Sequence, residues 1–411
     1  MRQPSIAQEH VGSRLFGPRH RGKQPPHRRR LRFEPLEHRH LLASLTVNSL
    51  SDIKLAGDGL VTLREAIIAA NTNTATDLGQ TGSGADTIEF APGLAGTISL
   101  LFGEMQITES LTINGPGRDL VTIDAQQNSR IFNILVGFPV GVSHAIRGLT
   151  LTRGNATAEG GAIRSDSPAL LLEQMAVRDS TATAGGGIYS QGVLKLNSSV
   201  ISGNTATAQL GSGGGFFTRA DATVTGSTIS GNRSVGANGT GGGFFSTHTL
   251  TLTDSHVIYN HANSDGGGFW HVSRPPGFIH EGGHAIVTNS TITGNSARVG
   301  GGFRAGYATI TGSTISDNQA SAKGGGLYIN FRRENQFEGL TLTNSTLSGN
   351  TAPIGGALHH RYSATVTDST INGNTGGGIV FDPSGVQYSI LFLQLRLNGS
   401  TVSNNTATGP G

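Results

Sequence analysis

An asparagine keeps returning through the last two-thirds of the chain, at a spacing that varies while its surroundings do not. It stands at Asn155, Asn204, Asn232, Asn260, Asn295, Asn318, Asn350, Asn374 and Asn405, with Ser180 in its place once. The intervals run from 23 residues (Asn295 to Asn318) to 35 residues (Asn260 to Asn295). Most copies follow an alternating apolar/Thr run that ends Ser-Thr-Ile-Ser-Gly-Asn or close to it, as at Ser313–Asn318 and Ser345–Asn350. A variable link then leads to two or three glycines and an apolar residue, as at Gly213–Phe216, Gly241–Phe244 and Gly324–Leu327. A constant motif with an elastic link is the mark of a stacked repeat, in which each unit is one coil and the slack is taken up in loops.

Each unit holds three short runs of period 2, too brief to make a sheet alone. In one they are Ala308-Thr309-Ile310-Thr311, Ser313-Thr314-Ile315-Ser316 and Leu327-Tyr328-Ile329, which puts Ile310, Ile315 and Leu327 inside and the threonines outside. Laying equivalent runs side by side pairs every backbone group with the coil above and below, at roughly 4.8 Å per coil. The expected fold is therefore all-β: a right-handed parallel β-helix of about ten coils, roughly 50 Å long by that spacing, with an N-terminal capping helix. The asparagines are expected to form a ladder, because Asn tolerates the left-handed backbone of a tight turn and stacked amides hydrogen-bond from coil to coil. The glycines allow tight bends. Nine copies of a side chain are a structural column rather than a catalytic one.

Composition narrows the function. Glycine supplies 62 of 411 residues, and charged residues are only 13%. Such numbers also fit disorder, but disordered chains lack β-branched residues at regular intervals. The sequence pI near 9.4 misleads. Residues 1–44 carry ten Lys/Arg against three acids, whereas the rest carries 19 against 23. A nucleic-acid partner would need a basic patch on the folded body, and none follows residue 44. Cysteine is absent, which removes disulfides, thiolate metal sites and a cysteine nucleophile. No apolar run reaches the length of a transmembrane helix.

One helix is expected ahead of the array, over Leu63–Asn71. Leu63, Ala66, Ile67 and Ala70 fall on one face, and Thr62 with Glu65 has the spacing of a capping box. An amphipathic helix is a suitable lid for an apolar coil end. Strands are expected at Thr87–Phe90, Thr97–Leu100, Leu111–Ile113 and Val121–Ile123. The layout is a disordered basic leader (1–44), a cap with the first coils (45–144) and the repeat array (145–411).

Three stretches resemble known families. Phe33-Glu34-Pro35-Leu36-Glu37-His38-Arg39-His40-Leu41-Leu42 resembles the LEPRxLL-type leader of large bacterial surface proteins, which implies export to the cell envelope or surface. Val47–Asp124 resembles the CSLREA domain that precedes parallel β-helices, on Thr62-Leu63-Arg64-Glu65-Ala66-Ile67, Asp86-Thr87-Ile88 and Leu111-Thr112-Ile113-Asn114-Gly115-Pro116-Gly117. The array is similar to polymorphic outer-membrane-protein repeats, with Gly160-Gly161-Ala162-Ile163 and Gly355-Gly356-Ala357-Leu358 the nearest copies. That last resemblance implies a secreted adhesive passenger.

Candidate sites are few. His280-Glu281-Gly282-Gly283-His284 matches a zinc-protease string, but that chemistry needs a helix, and the glycines with Pro275-Pro276-Gly277 oppose one. It reads as a loop insertion, with no metal site and no cofactor expected. The acids Asp166, Asp179, Asp254, Asp265, Asp317 and Asp368 are scattered, whereas polysaccharide lyases and hydrolases need clustered carboxylates. Asp254 and Asp368 fall in a column otherwise held by Gly or Asn, which marks a turn. Arg153, Arg164 and Arg178 are single arginines. No catalytic residue is assigned. The residues behind the glycines are different. Ile188, Phe216, Phe244, Phe269, Phe303, Leu327 and Leu358 should point inward, so Tyr189, Phe217, Phe245, Trp270, Arg304, Tyr328 and His359 should point outward. Exposed aromatics in a row make an apolar strip of the kind that marks an interaction site. The partners expected are glycans or cell-surface proteins.

The chain stops where the next Gly element should follow, which points to a longer natural chain or to end-to-end self-association. The sequence thus favours a surface adhesin or structural rod over an enzyme. A pectin-lyase-like enzyme and a passive spacer for a further domain are the alternatives.

Overall fold

A computed structural model describes residues 43–135, 143–209, 213–272, 284–330, 338–383 and 394–407. The leader expected over 1–44 lies almost wholly outside them, as does most of the zinc-protease-like string. The remainder is an all-β parallel solenoid of about ten turns. Sheet 1 has thirteen strands, from Ser44–Val47 to Leu395–Asn398. Sheet 2 has eleven, from Met105–Ile107 to Ile379–Phe381, and sheet 3 has twelve, from Gly96–Ser99 to Thr401–Ser403. A fourth sheet of six strands, from Thr181–Ala182 to Gln319–Lys323, the first four of them only two residues long, runs between sheets 3 and 2 and has no counterpart in the sequence reading.

One coil shows how the pattern folds. Ile188–Ser190 lies in sheet 2, Val193–Asn197 in sheet 1, Val200–Ser202 in sheet 3 and Thr205–Ala206 in sheet 4, after which Phe216–Thr218 returns to sheet 2 one level up. Among the described residues every strand pairs with its neighbours in parallel, and residues of one column pair in register: Ile188 with Phe216, Phe216 with Phe244, Phe244 with Phe269. The inward columns are buried, Ile310, Ile315 and Leu327 among them, up to the last described coil, where Leu395, Leu397 and Val402 are exposed. The first residues after the glycines form an aromatic stack inside the solenoid. Phe216–Phe244, Phe244–Phe269 and Phe269–Phe303 have centroids 4.4, 4.8 and 4.3 Å apart and nearly parallel planes.

The asparagine column is a continuous ladder from Asn204 to Asn405. Each Oδ1 accepts from both the backbone N–H and the Nδ2 of the asparagine one coil earlier. Asn318 N and Nδ2 reach Asn350 Oδ1 at 3.1 and 3.0 Å. Each Nδ2 also donates to a carbonyl of the previous coil, as Asn350 does to Ile315 at 2.9 Å. Ser180 extends the ladder downward, donating its N–H to Asn204 Oδ1 and accepting from Gly154 N through Oγ, both at 3.1 Å. Asn155 departs from the expectation. Arg153 takes the left-handed position (φ 52°) that Gly203 and Gly231 take elsewhere, so Gly154 fills the ladder site and Asn155 is exposed, its side chain donating to Gln127 O at 3.1 Å and its backbone N–H to Ser129 O at 2.8 Å.

A second ladder escaped the sequence reading. Ser199, Ser227, Ser255, Ser290, Ser313, Ser345, Ser369 and Ser400 stack at the turn between sheets 1 and 3. Each Oγ accepts the N–H of the residue one coil earlier at 3.0–3.2 Å and donates to the carbonyl two residues back. The residue before each serine is left-handed, which is where Asp254 and Asp368 fall (φ 48° each), so these two acids are turn residues.

The helix spans Leu63–Thr72 and carries the capping box: Thr62 Oγ1 accepts from Glu65 N at 3.2 Å, and Glu65 Oε2 accepts from Thr62 N at 2.9 Å. Leu63, Ala66, Ile67 and Ala70 join the same apolar core as the first strands. Arg64 is buried and fixes the helix to those coils. It pairs with Asp52 at 2.7 and 3.0 Å and donates to the carbonyls of Gly103 and Glu104 at 2.7 and 3.1 Å.

Two asparagines that look alike in sequence should therefore behave differently. Asn350→Leu removes the acceptor of two buried donors and should cost a few kcal/mol, read as a lower urea midpoint. Asn155→Leu should stay within about 0.5 kcal/mol of the parent, as surface changes do. Equal effects would mean that the ladder does not carry the turn.

Candidate functional site

The outer faces of the three long sheets differ in chemistry. On sheet 1, the paired outward positions from Thr223 to Thr367 are all threonine except Ile286. Sheet 3 presents mainly Thr and Ser, as in Thr291 and Thr293 or Thr346 and Ser348. Sheet 2 differs in stacking aromatic rings one per coil and setting guanidinium and carboxylate groups against them. Its outward column reads Asn133, Arg164, Tyr189, Phe217, Phe245, Trp270, Arg304, Tyr328, His359 and Val380, one residue per coil and in register.

The five aromatics singled out from the sequence do share this column, but they do not form an open apolar strip. Tyr189, Phe245 and Tyr328 are buried, with 2, 8 and 8% of their surface exposed, and only Phe217 and Trp270 are half-buried. The cause is the coil repeat. Rings repeated about every 4.8 Å stand face to face. Tyr189–Phe217 and Phe217–Phe245 stack at 5.1 and 4.8 Å with interplanar angles of 13° and 8°. Their faces are occupied by one another, so what reaches the surface is ring edge. Trp270 breaks the series, meeting Phe245 edge-on at 80° and 5.1 Å.

Guanidinium groups complete the column. Arg219, exposed, lies 5.9 Å from the Tyr189 ring and 6.0 Å from the Phe217 ring. Arg304 lies 5.3 Å from both Trp270 and Tyr328, within cation–π reach of each. Its Nη1 pairs with Asp265 at 2.8 Å, while its buried Nε–H has no hydrogen-bond partner. Asp265 also faces Arg298 at 3.7 Å, so two arginines share one carboxylate. Asp265, one of the acids judged scattered, thus acquires a role that only the coil stack reveals. Of Arg153, Arg164 and Arg178, only Arg164 lies on this face, held by Asp166 at 2.6 Å and Glu159 at 3.8 Å. Arg153 pairs instead with Asp124 at a turn.

Beyond Tyr328 the column ends in a buried polar group. His359 is 1% exposed and stacks on Tyr328 at 5.1 Å. Neither ring nitrogen has a hydrogen bond, and the nearest charge to Nε2 is Asp382 at 3.7 Å, itself 3.5 Å from Lys323. Burial first, and Lys323 second, push the His359 pKa down to about 4 against the pull of Asp382. Burial likewise lowers His360, whose Nδ1 lies 2.7 Å from Tyr362 O. Among the described residues no group of three or more His, Cys, Asp or Glu is placed to hold a metal ion. His284, the described end of the zinc-protease-like string, places Nε2 2.9 Å from Thr309 Oγ1 and stacks on Tyr307. No helix is long and apolar enough to cross a membrane, among the described residues.

The buried imidazoles set a pH dependence. An unfolded His titrates near 6.5, whereas folded His359 stays neutral down to about 4. Above pH 6.5 both states are neutral and the native state carries no penalty. As pH falls from about 6.5 towards 4, the unfolded chain binds the proton first and stability is lost. The urea midpoint should fall over that window. His359→Phe, which keeps a ring on Tyr328, should make the slope shallower. An unchanged slope would remove His359 as a contributor.

Comparison with known proteins agrees on the fold. The family described as a right handed beta helix region matches residues 269–411. No curated protein matches the chain. Among solved structures, the chain is similar to the A-module of the mannuronan C-5 epimerase AlgE4 of Azotobacter vinelandii, at 15% identity over 87% of this chain and 99% of that one, with a TM-score of 0.50. The Dettilon tailspike protein (gp208) shares 11% identity over 89% of this chain and 69% of its own, with a TM-score of 0.46. The alginate lyase AlyGC, of the PL6 family, shares 13% over 88% and 53%, with a TM-score of 0.40. With the family match, the likeness to the epimerase module at 15% identity is one of fold: a right-handed parallel β-helix.

Proposed function

We propose that this is an exported β-helical protein of the bacterial cell surface that binds glycans or other envelope components along the outer face of sheet 2. The observation that carries the reading is the concentration of ring edges, guanidinium groups and Asp265 on that face, opposed to the Thr and Ser faces of sheets 1 and 3. Amphipathic ring edges with fixed hydrogen-bonding groups are what a hydroxyl-rich ligand needs, since it must be held by apolar contact and oriented by polar atoms. Trp270 is the anchor, being the half-buried ring that is turned out of the stack. The leader resemblance at Phe33–Leu42 supports export. The domain layout remains 1–44 leader, 45–144 CSLREA-like cap and 145–411 array.

A second reading, polysaccharide modification, is favoured by one feature. Tyr328, His359, Asp382 and Lys323 gather at the far end of the same face. A polyuronate incubated with the protein and followed by ultraviolet absorbance would reveal unsaturated chain ends if it is a lyase.

For the binding reading, Trp270→Ala should lower affinity on a glycan array or in titration by about tenfold, the loss of one ring contact of ~1.4 kcal/mol. The urea midpoint should move little. A Trp270→Ala protein that binds every glycan as the parent does would remove this face from consideration.

A further inference from the structure

Two arginines on this face are held differently from the charges elsewhere on the solenoid. Arg219 is exposed, lies over two rings, and has no carboxylate within ion-pair distance among the described residues. Arg304 is clamped between two rings, shares Asp265 with Arg298, and keeps an unbonded Nε–H. A guanidinium fixed by aromatic faces has already lost much of its rotamer freedom, so it binds a planar or tetrahedral anion at reduced entropic cost. By contrast Arg147, on the outer face of sheet 1, is paired with Glu173 at 2.9 Å, and Arg153, at the turn beyond sheet 3, with Asp124.

Their separation is set by the fold. Arg219 follows the strand Phe216–Thr218, and Arg304 lies three coils further on, through Phe244–Ser246 and Phe269–His271 to Phe303–Ala305. Three coil repeats come to about 14 Å. One repeat is close to the length of a single hexose in an extended β-linked chain, so a chain lying parallel to the solenoid axis would advance by one sugar per coil. The first and fourth sugars would then lie beside Arg219 and Arg304, with Trp270 between them.

We infer that the ligand of the sheet 2 face is an anionic glycan laid along the axis, whose carboxylate or sulfate groups are read by Arg219 and Arg304 three coils apart. This rests on the glycan-binding reading above and adds to it the charge, direction and minimum length of the ligand. Only the anionic group is specified, and carboxylated and sulfated chains share it.

The test is isothermal titration of the full chain with β-(1→4)-linked oligomannuronates of two to six sugars, a sulfated cello-oligosaccharide and a neutral cello-oligosaccharide. Anionic chains should bind and the neutral chain should not. Affinity should rise steeply between the trimer and the tetramer and fall with salt. Arg219→Gln, a surface change that leaves folding intact, and Arg304→Lys, which keeps the charge but not the fork, should each weaken anionic binding about tenfold. Lys195→Ala on sheet 1 should not. The carboxylated and sulfated arms show which anion is preferred, and binding of either supports the inference. Neutral and anionic chains bound alike, a length series without a step at four sugars, or an inert Arg219→Gln would overturn it while leaving the face as a glycan site. Binding of no glycan at all would instead sink the broader reading.

Discussion

The structure depends on one coil resting on the next through hydrogen bonds that run along the solenoid axis. No strand of three to five residues is stable alone, and none here is asked to be. Each finds its partners in the preceding and following coil, so that the backbone of Ile188–Ser190 is satisfied only because Ile163–Ser165 and Phe216–Thr218 flank it. The turns would be the weak points, because their backbone N–H groups leave the sheets while still buried. The Asn and Ser ladders close that gap, each side chain accepting a turn N–H from the coil before it. Because the ladders fix the corners, the links can vary in length without disturbing the stack, which is why intervals of 23 and 35 residues coexist.

The same repeat that makes the backbone continuous dictates side-chain chemistry. A residue type repeated in a column meets its own copies at roughly 4.8 Å. Asparagine then becomes a ladder, inward phenylalanine an interior stack, and outward tyrosine and phenylalanine an exterior stack that hides its own ring faces. A column stays available to a ligand only where the series is broken. Trp270 breaks it by turning edge-on and Arg304 by replacing a ring with a cation, so the irregular groups are among those that reach solvent on this face.

The open end of such a stack is its other difficulty, since it exposes strand edges and apolar interior together. At the N-terminal side the helix Leu63–Thr72 covers the interior, and the buried Arg64–Asp52 pair ties it down. A buried ion pair contributes little net stability by itself. Here Asp52 Oδ2 also accepts from the Leu101 and Phe102 N–H groups, and Arg64 satisfies two carbonyls, so the pair serves to fix where the lid sits.

The sequence alone determined the solenoid, because period-2 runs, glycines and a returning asparagine leave no other way to satisfy a backbone cut into such short strands. It also determined the capping helix, whose Thr62 and Glu65 signal is local. It placed Tyr189, Phe217, Phe245, Trp270 and Tyr328 in one column, since alternation along a strand is a local rule. Whether those rings would be open or closed was not local. It depends on what stands one coil away, 24 to 34 residues along the chain, and stacking decided it. Asn155 shows the same limit from the other side, because a one-residue shift at Arg153 removed it from a ladder its motif had promised. The serine ladder was written as plainly as the asparagine one, but serine is common in outward positions and its column becomes distinct only when the coils are in register. Asp265 with Arg304, and His359 with Asp382, became neighbours only in the stack, since proximity between coils is a property of the fold and not of the strand.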